Sequence, residues 1–161
     1  MQQHYQDAIA ITKAKTKPDL LITMTCNPKW IELKRVLTNF PVGTTPNDIP
    51  NITFRLFYTK FQHFLDDIIK NEIFGKVIAY VYTIEFQKRG LPHSHIVVTL
   101  HPENKLMTPQ SIHKFISAEI PDDSDKDLRK LVIKHMLHGV HTDHSPCILK
   151  NKTICKKKFP N

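Results

Sequence analysis

Large apolar side chains recur at a helical spacing in the middle of this chain. Between residues 54 and 69 they follow steps of three, one, three, three, one, three and one, close to the period of an α-helix. This spacing predicts a long helix that buries one face in the core. The side chains concerned are Phe54, Phe57, Tyr58, Phe61, Phe64, Leu65, Ile68 and Ile69.

Three other segments are apolar without a helical period and predict strands, at residues 20–26, 75–86 and 93–100. The 75–86 segment is apolar on both faces, which favours a central position in the sheet. Gly90 and Pro92 form a turn signal between this segment and the next. We therefore expect the second and third strands to pair as an antiparallel hairpin.

Shorter helices are predicted at residues 2–15, 28–37, 108–120 and 124–137, with Pro28 in a first turn and Thr108 as an N-cap. Residues 38–51 hold three prolines and one glycine and predict a loop. The order α-β-α-α-β-β-α-α indicates an α/β (α+β) fold, with a central antiparallel sheet flanked by helices. We expect this domain to occupy residues 1–137 and a different, His/Cys/Lys-rich tail to occupy residues 138–161.

The charge of the chain is strongly basic, with a formal net charge of +8 over 161 residues. Basic domains bind nucleic acid, acidic lipid or acidic protein, and excess charge can also serve solubility alone. A basic amphipathic helix with a bulky apolar face is not evident, and no apolar run approaches the length of a membrane span. The N-terminus lacks a signal-peptide pattern, and the three cysteines fit a reducing, intracellular compartment better than a disulfide framework. These features favour nucleic acid and predict no membrane partner.

The expected hairpin carries a candidate metal site. His93 and His95 are two residues apart on a strand and so share a face, and Glu85 ends the preceding strand across from them. Two neutral imidazoles and one carboxylate hold a divalent ion while leaving coordination positions open. Such an ion polarises a phosphoryl oxygen, so the set predicts metal-dependent cleavage of a nucleic acid strand. The alternative is a pair of partly buried histidines that bond to Glu85 for packing alone.

Basic and metal-binding side chains also lie outside this triad. Lys88 and Arg89 stand in the hairpin turn, where we expect them to face a phosphate backbone. A four-ligand structural zinc site is a further candidate in the tail, and the tail lysines are candidates for phosphate contacts. The zinc candidates are His138, His141, Cys147 and Cys155, and the main lysines are Lys156, Lys157 and Lys158.

At this point the residues resemble a known family. The run EFQKRGLPHSH at residues 85–95 resembles the HUH motif of the replication-initiator domain in Helitron transposases, also described as the Helitron helicase-like N-terminal domain. The resemblance extends to KPDLLITMTCNPKW at residues 17–30, NDIPN at 47–51 and FGKV at 74–77. It continues with QHYQDA at residues 3–8, SPC at 145–147 and CKKKFP at 155–160, and so covers nearly the whole chain.

The resemblance implies a ferredoxin-like HUH endonuclease fold that nicks single-stranded DNA with Mg²⁺ or Mn²⁺. In such a domain a tyrosine becomes linked to the 5′ phosphate. On the motif, His93 and His95 match the metal ligands, and Glu85 matches the position of a third ligand, with Gln87 as the alternative. Ser94 stands where the family usually has an apolar residue, but it points to the opposite face of the strand. The resemblance also implies a helicase domain in cis and a nuclear location.

The chain departs from the family in its tyrosines. The family places its nucleophile on a helix after the cysteine-bearing tail, whereas the tyrosines here are Tyr5, Tyr58, Tyr80 and Tyr82. We therefore expect the front part of a transposase that lacks the nucleophilic tyrosine, as a fragment, a partial gene model or a transposon remnant. Two alternatives are a catalytically inactive, transposon-derived nucleic-acid-binding module and an interaction module whose charge serves solubility.

Overall fold

The computed structural model of the chain describes residue 10 and residues 17–87, 90–117 and 119–137. Its strands are β1 (Leu20–Thr25), β2 (Val77–Phe86) and β3 (Pro92–Leu100). Its α-helices are α1 (Ile31–Leu37), α2 (Pro50–Ile69), α3 (Pro109–His113) and α4 (Lys126–His135). Two short 3₁₀ helices, Pro46–Asp48 and Pro102–Asn104, complete the elements of these residues. The helix predicted at residues 2–15 lies outside the described residues, apart from Ala10.

The sheet formed by the described residues is antiparallel, with strand order β1-β3-β2. β1 and β2 run in the same direction with β3 between them, and α1 and α2 lie in the connection from β1 to β2. This is the split βαβ arrangement found in ferredoxin-like folds. The predicted α+β class with a central antiparallel sheet is thus confirmed.

The predicted central position of the second strand is wrong, because β3 takes the centre and β2 pairs, among the described residues, with β3 alone. β3 is the strand buried on both faces, with Ile96, Val98 and Leu100 fully inaccessible. β2 instead leaves Tyr80 and Tyr82 partly exposed, and tyrosine counts as apolar in a pattern although its side chain is amphipathic. Tyrosines therefore made a strand at the edge of the described sheet resemble a central one.

Helix α2 covers one face of the sheet, as its periodicity predicted. Phe57, Phe61, Leu65 and Ile68 are buried in a core cluster with the inward side chains of β3. Phe61 meets Tyr82 of β2 edge to face, with ring centroids 4.9 Å apart. We call this covered side of the sheet the helix face.

The helix boundaries differ from prediction in α1, α3 and α4. α1 begins at Ile31, because Asn27 forms a turn in which its side chain accepts from the Lys29 N–H at 2.9 Å. Thr108 is the predicted N-cap of α3, but this helix ends at His113. Just past its end, the Phe115 N–H donates to the Ile112 carbonyl at 3.0 Å, a tighter i→i−3 bond typical of a helix terminus. α4 begins two residues later and ends two residues earlier than predicted.

The described residues belong to two compact units, divided between Phe115 and Ile116. The first contains the sheet and α1–α3, and the second contains α4. The boundary expected between residues 137 and 138 falls at the end of the described residues and stays a prediction. No helix in the described part of the chain has the length and apolarity needed to cross a bilayer.

Candidate metal centre

The strand register brings the predicted metal ligands together. Glu85 of β2 is the direct cross-strand partner of His93, and His95 follows two residues along β3 on the same face. The turn between the strands is set by Gly90, which has a φ of +81° and donates to the Gln87 carbonyl at 2.7 Å. A Cβ at this position would lie 3.2 Å from Oδ1 of Asn47. A glycine here therefore helps to keep Glu85 in register with the histidines.

The three side chains form a compact set of donors. One candidate ligand atom from each of Glu85, His93 and His95 lies within 4.8 Å of the others. Nε2 of His95 is 3.4 Å from Oε1 of Glu85. The two imidazole rings lie nearly perpendicular, at 76°, with centroids 4.6 Å apart. This arrangement leaves space for one ion between the donor atoms.

The triad is buried at its base and open toward solvent. His93 is only 8% exposed, whereas the side chains of His95 and Glu85 are 40% and 59% exposed. We call this side of the sheet, which includes Thr23, Thr25 and the triad, the site face. The combination of a buried ligand and two accessible ones suits an ion that must keep positions open for a substrate oxygen.

Two threonines of β1 contact the histidines, and the sequence reasoning missed both. Thr25 pairs with His93 in the β1–β3 register, and its Oγ1 lies 2.6 Å from Nδ1 of that ring. Thr23 pairs with His95, and its Oγ1 lies 3.0 Å from Nδ1. The signal available in the sequence was the shared two-residue spacing of the threonines and the histidines. To use this signal, one must already know that β1 lies next to β3.

Gln87, the alternative third ligand, approaches a different part of the site. Its Nε2 lies 3.3 Å from Nδ1 of His93, the nitrogen that already contacts Thr25. Glu85 instead contacts Nε2 of His95 and belongs to the compact set of donors. The geometry therefore favours the Glu85 carboxylate over the Gln87 amide as the third ligand of an ion.

Ser94 points away from the triad, as expected, and the three described tyrosines also lie on the other side of the sheet. Ser94 is fully buried, and its Oγ lies 3.5 Å from the Met24 carbonyl oxygen. Tyr58 on α2 and Tyr80 and Tyr82 on β2 belong to the helix face, where they are partly exposed. The pKa of Tyr82 is raised, mainly by burial and secondarily by Tyr58 and Tyr80. None of these three tyrosines lies on the site face.

Several predicted site residues lie outside the described residues. They include the turn residues Lys88 and Arg89 and the tail candidates for zinc and phosphate binding. Those tail residues are His138, His141, Cys147, Cys155, Lys156, Lys157 and Lys158.

Cys26 lies within the described residues. It is a buried free cysteine, and burial raises the pKa of its thiol to about 11. Cys26 is therefore a core residue and not a reactive thiolate.

The donor set fits a hard or borderline divalent cation. Imidazole nitrogen and carboxylate oxygen are common ligands for Mn²⁺ and related ions, and three protein donors leave further coordination positions free. Fold and site together define an α+β domain with a candidate metal centre on the open side of an antiparallel sheet.

The comparison with protein families identifies the family of this α+β domain. The family model described as the Helitron helicase-like domain at N-terminus matches residues 1–98. The chain belongs to this family, which relates it to the Helitron transposases. The matched residues include the whole triad and β1. No curated protein matches the chain.

Proposed function

We propose that this chain is a single-stranded DNA-binding and metal-dependent nicking domain of a rolling-circle, Helitron-type transposase. The observation that carries the proposal is the compact Glu85, His93 and His95 set on the site face. Family membership and the net charge of +8 support the same reading, because a polyanionic substrate needs cationic surroundings.

In this proposal each residue of the triad holds the ion from a defined place. His93 binds from the buried base of the site, while His95 and Glu85 bind from its exposed rim. Mg²⁺ or Mn²⁺ would supply Lewis-acid chemistry, polarising a phosphoryl oxygen and offsetting the charge that grows there. Lys88 and Arg89 in the adjoining turn would contact the phosphates of the DNA.

The attacking group must come from elsewhere than the described tyrosines. Tyr58, Tyr80 and Tyr82 lie on the helix face, with the sheet between them and the triad. Tyr5 lies outside the described residues, and the resemblance places the family's nucleophile on a helix after the cysteine-bearing tail. A helicase domain in cis and a nuclear location complete the proposal. A structural zinc held by His138, His141, Cys147 and Cys155 is a further part of it.

Isothermal titration with Mn²⁺ tests the metal site. The intact chain should bind one Mn²⁺ in the site, and the double variant His93→Ala plus His95→Ala should lose this binding. His101→Ala is the matched control, because His101 lies just past β3 beside Glu103 and away from the triad. Failure of the intact chain to bind Mn²⁺, or equal binding by the double variant, would remove the proposal.

The same proteins distinguish the nicking domain from an inactive binding module. A labelled single-stranded oligonucleotide should bind the intact chain and the double variant alike, with an affinity that falls steeply as salt rises. DNA binding without any Mn²⁺ site would identify the inactive nucleic-acid-binding module. A DNA affinity that does not change with salt concentration would contradict the electrostatic part of the proposal.

A further inference from the structure

Both histidines of the candidate metal centre have their Nδ1 atoms occupied by hydroxyl groups of one neighbouring strand. Thr25 lies 2.6 Å from Nδ1 of His93, and Thr23 lies 3.0 Å from Nδ1 of His95. The antiparallel register places each threonine directly opposite its histidine. The same contact is thus made twice, by two pairs of residues two positions apart along β1 and β3.

The hydrogen bond at Nδ1 decides which nitrogen of an imidazole can bind an ion. A neutral ring carries one N–H and one lone pair, and the partner of one nitrogen sets the role of the other. A threonine hydroxyl that accepts from Nδ1–H leaves the lone pair on Nε2. In His95, Nε2 is the atom that lies 3.4 Å from Glu85. The metal-binding tautomer is therefore the one in which the threonines accept.

We propose that Thr23 and Thr25 are positioning residues that hold His95 and His93 in the Nδ1–H tautomer and direct both Nε2 lone pairs to one cation. The inference rests on the proposed metal site and extends it to a strand that supplies no ligand. Gln87 lies 3.3 Å from the same Nδ1 of His93, where its amide oxygen can accept together with Thr25 if the amide group is turned. Groups that orient a metal-binding histidine in this way commonly change metal affinity by about 10- to 100-fold.

Thr83 provides an internal control for this proposal. It is the cross-strand partner of His95 on β2, so it flanks the same ring from the opposite side. The described hydrogen bond and ion pair of His95 are with Thr23 and Glu85, and neither involves Thr83. If altering any exposed threonine beside the site weakened Mn²⁺ binding, Thr83→Val would weaken it as much as Thr23→Val does.

Nitrogen-15 NMR of the metal-free protein tests the tautomer directly. At alkaline pH, where imidazole is neutral, His93 and His95 should show the pattern of a protonated Nδ1 and an unprotonated Nε2. Thr25→Val should convert His93, and Thr23→Val should convert His95, to a mixture of tautomers. Thr→Ser at either position keeps the hydroxyl and should restore the original pattern. Thr83→Val should leave both rings unchanged.

Mn²⁺ titration of the same variants measures the consequence. Each Thr→Val variant should weaken Mn²⁺ binding by about 10-fold or more, while Thr→Ser and Thr83→Val should stay within about twofold of the original chain. Circular dichroism checks that the variants remain folded. Rings already protonated on Nε2, or unchanged tautomers and affinities in both valine variants, would overturn the proposal.

The two readouts separate this inference from the proposed function. A chain that binds no Mn²⁺ but shows tautomers controlled by Thr23 and Thr25 would remove the nicking function and support the role of the threonines. A chain that binds Mn²⁺ through His93 and His95, with tautomers and affinity indifferent to both valine substitutions, would retain the function and refute the positioning role.

Discussion

The two faces of the central sheet have opposite characters although the same three strands build both. On the helix face, Ile96, Val98 and Leu100 are fully buried against α2. On the site face, polar side chains gather around a triad that opens to solvent. Neighbouring leucines of β1 illustrate the contrast, since Leu20 is 7% exposed and Leu21 is 70% exposed. One face thus provides stability, and the other presents the candidate metal centre to solvent.

The strongest test of this contrast between the two faces is to truncate adjacent residues of β3 that point to opposite faces. Ile96→Ala removes a fully buried side chain from the helix face and should reduce the free energy of unfolding by about 3 kcal/mol. Val97→Ala acts on the site face, where Val97 is partly exposed, and should cost roughly 1 kcal/mol or less. Urea unfolding followed by circular dichroism measures both values. Equal losses would show that the site face is packed as tightly as the helix face.

A second test removes charge from the site face without touching the core. Glu85→Gln should weaken Mn²⁺ binding by about tenfold, which corresponds to about 1.4 kcal/mol, because a carboxylate oxygen is replaced by a neutral amide. The free energy of unfolding should hardly change, since the Glu85 side chain is 59% exposed.

Glu103→Gln is the matched control for this charge removal. Glu103 also lies beside a histidine, 3.6 Å from Nδ1 of His101, but it has no second imidazole nearby in the described residues. Isothermal titration should therefore give the same Mn²⁺ affinity for this variant and the original chain. Unchanged affinity in Glu85→Gln would show that the acidic group is no ligand.

The helix face was largely predictable from the sequence, because its determinants are local. The spacing of Phe57, Phe61 and Leu65 predicted α2 and its buried side, and apolar runs predicted all three strands. The error over strand order came from tyrosine side chains that are amphipathic, and the predicted α3 was too long because the helix tightens into an i→i−3 bond between Phe115 and Ile112. The pattern of apolar residues along the sequence shows neither effect.

The site face was predictable only where its residues belong to one hairpin. Glu85, His93 and His95 lie within eleven residues, and the turn between them settles their register. Thr23 and Thr25 escaped notice because about seventy positions separate them from the histidines, and only the long-range pairing of β1 with β3 brings them together. Candidate ligands can be found from a motif, whereas the groups proposed to orient them can be found only once the topology is known.

The smallest expected effect concerns the loop that leads into α2 and so the anchoring of the helix face. The pKa of Asp48 is lowered, first by a hydrogen bond from the Thr45 hydroxyl and then by one from the Thr45 backbone N–H, each at 2.7 Å. A carboxyl whose pKa is depressed on folding adds stability above its unfolded pKa and loses it as pH falls through the folded value.

Low pH should therefore remove the contribution of this Thr45–Asp48 capping box to the free energy of unfolding. Between pH 6 and about pH 3, the original chain should lose slightly more stability than Asp48→Asn, and the two unfolding curves should converge at the acid end. Thr45→Ala, which removes the hydroxyl donor, should show the same reduced dependence on pH. A constant difference between Asp48→Asn and the original chain across this range would mean that ionisation of Asp48 does not help to hold the start of α2, and that the helix face depends on apolar packing alone.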